Sequence, residues 1–160
     1  MNEGKIFEID FLKSAEKFCA KIRLNDPASS FGNGGNGLRF SAQNICDAIL
    51  YQHPKMYLIE LKSHLGKSIP NSAIIRNKKD KRIWQMVDMH STHYGISSLF
   101  VFNWRDLDNI TVAVRASWVL CYIERGIRKS IPASETIKNG IIVPHSLKKT
   151  RYQYDVQSIL

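Results

Sequence analysis

The chain has 160 residues, 44% of them apolar and 23% charged, which is the composition of one ordinary globular domain. It is neither collagen-like nor wholly disordered, and no run of about 18 uncharged apolar residues exists to form a transmembrane helix. Twenty-three Lys and Arg stand against 14 Asp and Glu, a net charge of +9 that points to a polyanionic partner, nucleic acid before a membrane surface.

Residues 5–22 space Phe7, Phe11, Phe18 and Ile22 mostly by three and four, so the sequence predicts an amphipathic helix stopped by Asp26-Pro27. Residues 27–37, with Gly at 32, 34, 35 and 37, read as a flexible loop or the tip of an arm spanning 26–41. Two runs, 44–51 and 56–62, read as a hairpin around Gln52-His53-Pro54-Lys55, and they are apolar on both faces, as central strands are. Residues 63–82 are polar and basic. A helix is predicted over 79–94 from Ile83, Trp84, Val87 and His90, with Gly95 as its stop. Strands are predicted over 96–104 and 110–114, around the turn Asp106-Leu107-Asp108-Asn109, and a helix over 117–125. Ser130 and Pro132 open a short helix that Asn139-Gly140 closes. The last twenty residues are basic and aromatic, without a clear period, and no internal repeat is visible. This order predicts one α/β domain over 1–160, a mixed sheet with helices on its faces.

The opening, MNEGKIFEIDFLKSAEK, spreads charge through every turn and is not expected to be a signal peptide. Cys19, Cys46 and Cys121 are odd in number and form no C-x-x-C pair. They are expected to be small buried residues in a cytoplasmic protein.

The chemistry follows from the register of the first hairpin. With a loop at 52–55, Tyr51 faces Met56 and Leu50 faces Tyr57, and the same register carries Asp47 to a place opposite Glu60. Facing Cβ atoms in an antiparallel pair are about 4.5–5.5 Å apart. Two carboxylates at that distance in an apolar sheet repel one another, and a divalent cation between them would relieve the repulsion. Lys62, two residues beyond Glu60, shares its face and could orient a nucleophile or stabilise charge on a phosphate. A Glu-x-Lys run alone is usually a surface ion pair. Here the register, the apolar flanks and the basic charge together predict metal-assisted phosphodiester hydrolysis.

Cys46-Asp47 followed by Glu60-Leu61-Lys62 resembles the PD-(D/E)xK nuclease signature, with Cys46 where that pattern often has Pro. The wider layout resembles the RecU-type Holliday-junction resolvases. Their first-helix Gly-x-x-x-Glu corresponds to Gly4-Lys5-Ile6-Phe7-Glu8, and a Lys-Ser/Thr-x-Pro-like stretch to Lys67-Ser68-Ile69-Pro70. A helical Gln follows at Gln85, then a Gly-Ile-x-x-x-Phe-Val-like strand from Gly95 to Phe102. Arg128-Lys129-Ser130-Ile131 and Pro144-His145-Ser146-Leu147 complete the order.

The resemblance implies a restriction-endonuclease-like mixed sheet flanked by helices, with a short Gly-rich arm. It implies a homodimer that resolves four-way DNA junctions by paired symmetric nicks in recombination and repair. Mg²⁺ is the expected cofactor, with Mn²⁺ as the alternative. By position, Asp47 and Glu60 would be metal ligands with the Leu61 carbonyl as a third, Lys62 would assist the attacking water, Gln85 would support the site, and Glu8 would be a further acidic member. Contacts to DNA phosphates are expected from Arg39, Lys67, Arg76, Lys78, Lys79, Arg82, Arg128, Lys129, Lys148 and Lys149. For the last two, tyrosines packing on the core are an equal reading.

The chain departs from the family pattern at Glu3, where Arg is common, and in the arm, which is short with Arg39 as its only base. The stretch between Pro70 and Gln85 is long and carries Arg76, Lys78, Lys79, Lys81 and Arg82. These changes bear on junction selectivity. The alternatives are therefore a nuclease of the same fold acting on flaps, mismatches or duplex, and a DNA-binding protein that has lost cleavage. Elsewhere, His90 and His93 lack a third zinc ligand, and Trp84, Trp104 and Trp118 are expected in the core.

Overall fold

A computed structural model describes residues 2–24, 44–77 and 80–160. The expected arm, with Arg39, and the bases Lys78 and Lys79 lie outside the described residues. The elements run α1 (Glu3–Ala15), β1 (Ala20–Arg23), β2 (Ala48–Gln52), β3 (Lys55–His64), β4 (Ser68–Pro70), α2 (Arg82–Thr92), β5 (Ile96–Trp104) and β6 (Ile110–Arg115). They continue with α3 (Ala116–Glu124), β7 (Ser130–Pro132), α4 (Ala133–Asn139), β8 (Ile141–Ile142), β9 (His145–Lys148) and β10 (Arg151–Tyr154). A six-stranded sheet has the order β1-β2-β3-β5-β6-β8. Its β3–β5 pair is parallel and the others antiparallel, so the sheet is mixed, as the sequence predicts. Among the described residues no helix is long and apolar enough to cross a membrane.

The helix α1 is capped by the Asn2 side chain, which accepts from the Gly4 amide at 3.0 Å. It buries Phe7, Phe11, Leu12 and Ala15. It ends at Ala15, seven residues short of the expected helix, and the chain turns into β1. The free edge of β2 explains the difference. Ala20–Arg23 satisfies that edge in the register Ala20↔Tyr51 to Arg23↔Ala48, and those backbone groups would otherwise go unpaired. Phe18 and Ile22, which match helical spacing, are 38% and 60% exposed, so no buried stripe was there to hold a longer helix.

The β2–β3 register matches the expected one, from Tyr51↔Met56 to Ala48↔Ile59, although the turn is the two residues His53-Pro54 rather than four. β3 is central and buried from Tyr57 to Leu61. Leu50, Ile59, Leu61 and Val101 form one core with α1. Leu58, Phe100, Phe102 and Val114 form a second core with residues of α2 and α3 on the opposite face. Strand alternation puts Glu60 and Lys62 on the face of Leu58.

Three local expectations change. Ser130–Pro132 is a strand rather than the start of a helix, because it pairs with β4. Lys67-Ser68-Ile69-Pro70 and Lys129-Ser130-Ile131-Pro132 are the same four residues, and they meet antiparallel with Ile69↔Ile131 at the centre, both buried. The repeat is too short to register without its pairing. Of the cysteines, only Cys46 is buried; Cys19 is half-buried and Cys121 exposed. Trp104 is buried, while Trp84 and Trp118 are half-buried at the edge of the core. The tail, which carries no clear sequence period, is a hairpin whose Tyr154 ring sits 5.5 Å from Phe7 and 5.7 Å from Phe11. It closes over α1. Gly140 has no room for a side chain: an added Cβ would lie 2.5 Å from Val112 and 2.7 Å from the Ala113 carbonyl.

Candidate active site

The ladder between β2 and β3 stops at Ala48↔Ile59, one residue before the expected Asp47–Glu60 pair. The chain bends there. The Asp47 amide donates to the Ile59 carbonyl at 3.0 Å, and the Asp47 carbonyl accepts from the Leu24 amide at 2.9 Å. In place of the next main-chain bond, Asp47 Oδ2 accepts from the Leu61 amide at 2.7 Å. The carboxylate therefore faces β3 through its side chain and is pinned on both sides.

Glu60 is 3% exposed. Its Oε1 accepts from Lys62 Nζ at 2.6 Å, and Arg82 Nη1 lies 3.7 Å from the same oxygen. Its Oε2 is buried without a hydrogen-bond partner among the described residues. Burial pushes the Glu60 carboxyl above its ordinary range, against the pull of Lys62, and the nearby Asp47 charge pushes the same way. Burial also raises Asp47, against Lys62 and the Leu61 amide, with Glu8 adding to the rise. Two carboxylates held in an environment that disfavours their charge, one with a free buried oxygen, suit a divalent cation. The Cys46 thiol beside them is pushed up to about 12 by burial and then by the Glu60 charge.

Asp47 and Lys62 border a cleft of about 450 Å³ lined also by Lys5, Glu8, Arg23, Leu61, Arg76 and Arg82, among others; Glu60 lies buried behind Lys62. Glu8, from α1, is held by Arg23 at 2.7 Å. The structure thus brings Glu8, Asp47, Glu60, Leu61 and Lys62 together. Gln85 stands exposed on α2 and does not line the cleft; what α2 sends to the carboxylates is Arg82. No three His, Cys, Asp or Glu among the described residues are grouped to hold a metal, so a cation here would rest on two carboxylates with a main-chain oxygen.

Of the expected phosphate contacts, Arg76 and Arg82 border the cleft. Lys67 and Lys129 stand exposed at the ends of the β4–β7 pair, with Arg128 beside them. Lys148 and Lys149 lie on the tail hairpin, exposed, away from the carboxylates. Tyr152 and Tyr154 pack inward, which is the second of the two tail readings. His64 packs edge-on against Trp104, His90 is tied to the Ile96 carbonyl at 2.8 Å, and His93 is exposed.

Sequence reasoning missed Asp80. It is 5% exposed and forms a two-pronged contact with Arg82, Oδ1 to Nε and Oδ2 to Nη2, both 2.9 Å. The Arg82 hydrogen bonds hold its carboxyl down at about 2. The one available signal was its isolation, a single acid among five bases between 76 and 82.

No protein-family model matches the chain, and no curated protein does. A similar solved structure exists. It is Archaeoglobus fulgidus Hjc, described as a Holliday junction resolvase from an archaeal hyperthermophile. The likeness to the archaeal resolvase covers 85% of this chain and 92% of that one, at 12% identity and a TM-score of 0.49.

Proposed function

We propose that the chain is a metal-dependent endodeoxyribonuclease with a restriction-endonuclease-like core, which resolves four-way DNA junctions as a homodimer. The observation that supports this most is the Glu60 carboxylate, buried beside Asp47 and Lys62 with one oxygen free. Asp47 and Glu60 would hold Mg²⁺ or Mn²⁺, with the Leu61 carbonyl as a third ligand. When bound, the cation supplies positive charge at the scissile phosphate and helps to activate water. Asp47 keeps its position through the Leu61 amide, which donates to its Oδ2 at 2.7 Å. Lys62 Nζ holds the attacking water by hydrogen bonding and offsets the charge that grows on the phosphate. Glu8, at the rim, orients water through Arg23. Arg76 at the cleft, and Lys67, Arg128 and Lys129 at the β4–β7 pair, grip backbone phosphates. Two copies related by a two-fold axis would place two such sites on the two strands of a two-fold junction.

The test is cleavage of a mobile four-way junction beside a linear duplex of equal length, with Mg²⁺ and with EDTA. Symmetric nicks in the junction alone, lost in EDTA, are expected. Equal cutting of duplex would keep the nuclease and remove the junction. Tight binding without cutting would favour a DNA-binding protein that has lost cleavage.

A further inference from the structure

The cleavage chemistry above leaves Asp80 and Arg82 without a role, yet they are the most constrained charged pair beside the cleft. Among the described residues, four donors converge on the Asp80 carboxylate. Oδ2 accepts from the Arg76 amide at 3.2 Å and from Arg82 Nη2 at 2.9 Å; Oδ1 accepts from the Arg82 amide at 3.3 Å and from Arg82 Nε at 2.9 Å. The two side-chain bonds form a fork that fixes the guanidinium plane, which a lysine ammonium could not do. One nitrogen is left over. Nη1 points to Glu60 and stops 3.7 Å from its Oε1, beyond hydrogen-bond length. Arg82 is thus placed by Asp80, not by Glu60. It is a cation held next to the carboxylates but kept from closing on them.

We propose that Asp80 is a positioning residue that holds Arg82 just short of Glu60, and that the pair thereby sets how strongly the two carboxylates bind a divalent cation. This rests on the reading of Asp47 and Glu60 as cation ligands. Arg82 repels an incoming cation through its charge, and this tempers the affinity. Asp80 restrains Arg82 and so prevents the guanidinium from capturing Glu60 outright. The two partners of one ion pair therefore act on cation affinity in opposite directions. A pair that only held the loop together would, when broken from either side, shift the affinity in one direction.

The experiment is isothermal titration of Mn²⁺ into the full chain without DNA, for Arg82→Met, Asp80→Asn, the double variant and Glu60→Gln, each checked for folding by circular dichroism. Arg82→Met is expected to bind Mn²⁺ about tenfold more tightly or better, the effect of removing a unit charge roughly 6 Å from a dication even under water-like screening. Asp80→Asn is expected to bind it more weakly, as the freed guanidinium closes on Glu60. The double variant is expected to match Arg82→Met, because Asp80 acts only through Arg82. Arg82→Lys keeps the charge without the fork, so it is expected to weaken binding as Asp80→Asn does; it carries the test if Asp80→Asn does not fold, and tighter binding in it would overturn the proposal. Unchanged or weaker binding in Arg82→Met, or the same direction of change in Asp80→Asn, would overturn the proposal. Glu60→Gln separates the two ideas. If it binds Mn²⁺ as the parent does, the ligand assignment fails and takes the proposal with it. If it loses binding while Arg82→Met is unchanged, the proposal alone fails.

Discussion

Two carboxylates are buried to nearly the same depth on opposite faces of the sheet, Asp10 at 4% exposure and Glu60 at 3%. Asp10 sits at the seam between α1 and the tail hairpin. Its Oδ1 accepts from Arg151 at 2.6 Å and its Oδ2 from the Tyr152 amide at 3.2 Å, so both oxygens are satisfied. Glu60, in the middle of β3, has one oxygen satisfied by Lys62 and the other by nothing among the described residues. Burial costs both groups their hydration, and only Asp10 recovers it within the fold. The difference teaches that depth of burial alone does not separate the two acids: Asp10 is fully paired, as a cohesive contact is, and Glu60 is incompletely paired, which is why the proposed chemistry is placed on it.

The comparison breaks most sharply at Glu60 itself. Glu60→Ala or Asp47→Asn is expected to lower junction cleavage by about three orders of magnitude or more while leaving DNA binding in place, measured by gel-based nicking and by binding in Ca²⁺. Undiminished cleavage in either would remove the site assignment. Asp10→Ala should do the reverse. It leaves the Tyr152 amide and the tail without their anchor and should cost about 3 kcal/mol in urea denaturation, with cleavage per folded molecule unchanged.

The pH dependence of stability sharpens the contrast further. The Glu60 carboxyl is raised by burial, so the native state holds its proton more tightly than the unfolded chain does. Stability then falls as pH rises from the ordinary glutamate value through the raised one. Glu60→Gln lacks that proton linkage, so its melting temperature relative to the parent should rise as pH rises above the ordinary glutamate value; a difference that does not change with pH would remove this account. Asp80 has the opposite sign. Held at about 2 by the Arg82 hydrogen bonds, it contributes stability that is complete above the usual aspartate value and is lost as pH falls from there through 2. Acid titration of Asp80→Asn should therefore lack that part of the acid limb. The smallest effects belong to the surface. Lys67→Ala and Lys129→Ala, at the two ends of the paired tetrapeptides, should each weaken DNA binding without regard to sequence and reduce the salt slope by about one.

The parts of the fold and site legible in the sequence are those that depend on near neighbours. The pairing Tyr51↔Met56 follows from a short loop between two apolar runs, and the common face of Glu60 and Lys62 follows from strand alternation. β5 spans residues 96–104, as its apolar run and the turn residues after it require. The distant pairings were not legible. β1 forms because the edge of β2 needs partners, although its own spacing looks helical. The paired Lys-Ser-Ile-Pro segments lie 62 positions apart, and the tail hairpin reaches Asp10 across 141. Asp80 reads as one acid in a basic loop until the start of α2 sets Arg82 between it and Glu60. The sequence by itself determined the pairing of β2 with β3 and the common face of Glu60 and Lys62, since period and loop length are local. Only the tertiary structure decided which buried carboxylates are paired, because a partner far along the chain is chosen by where the folded sheet and helices bring it.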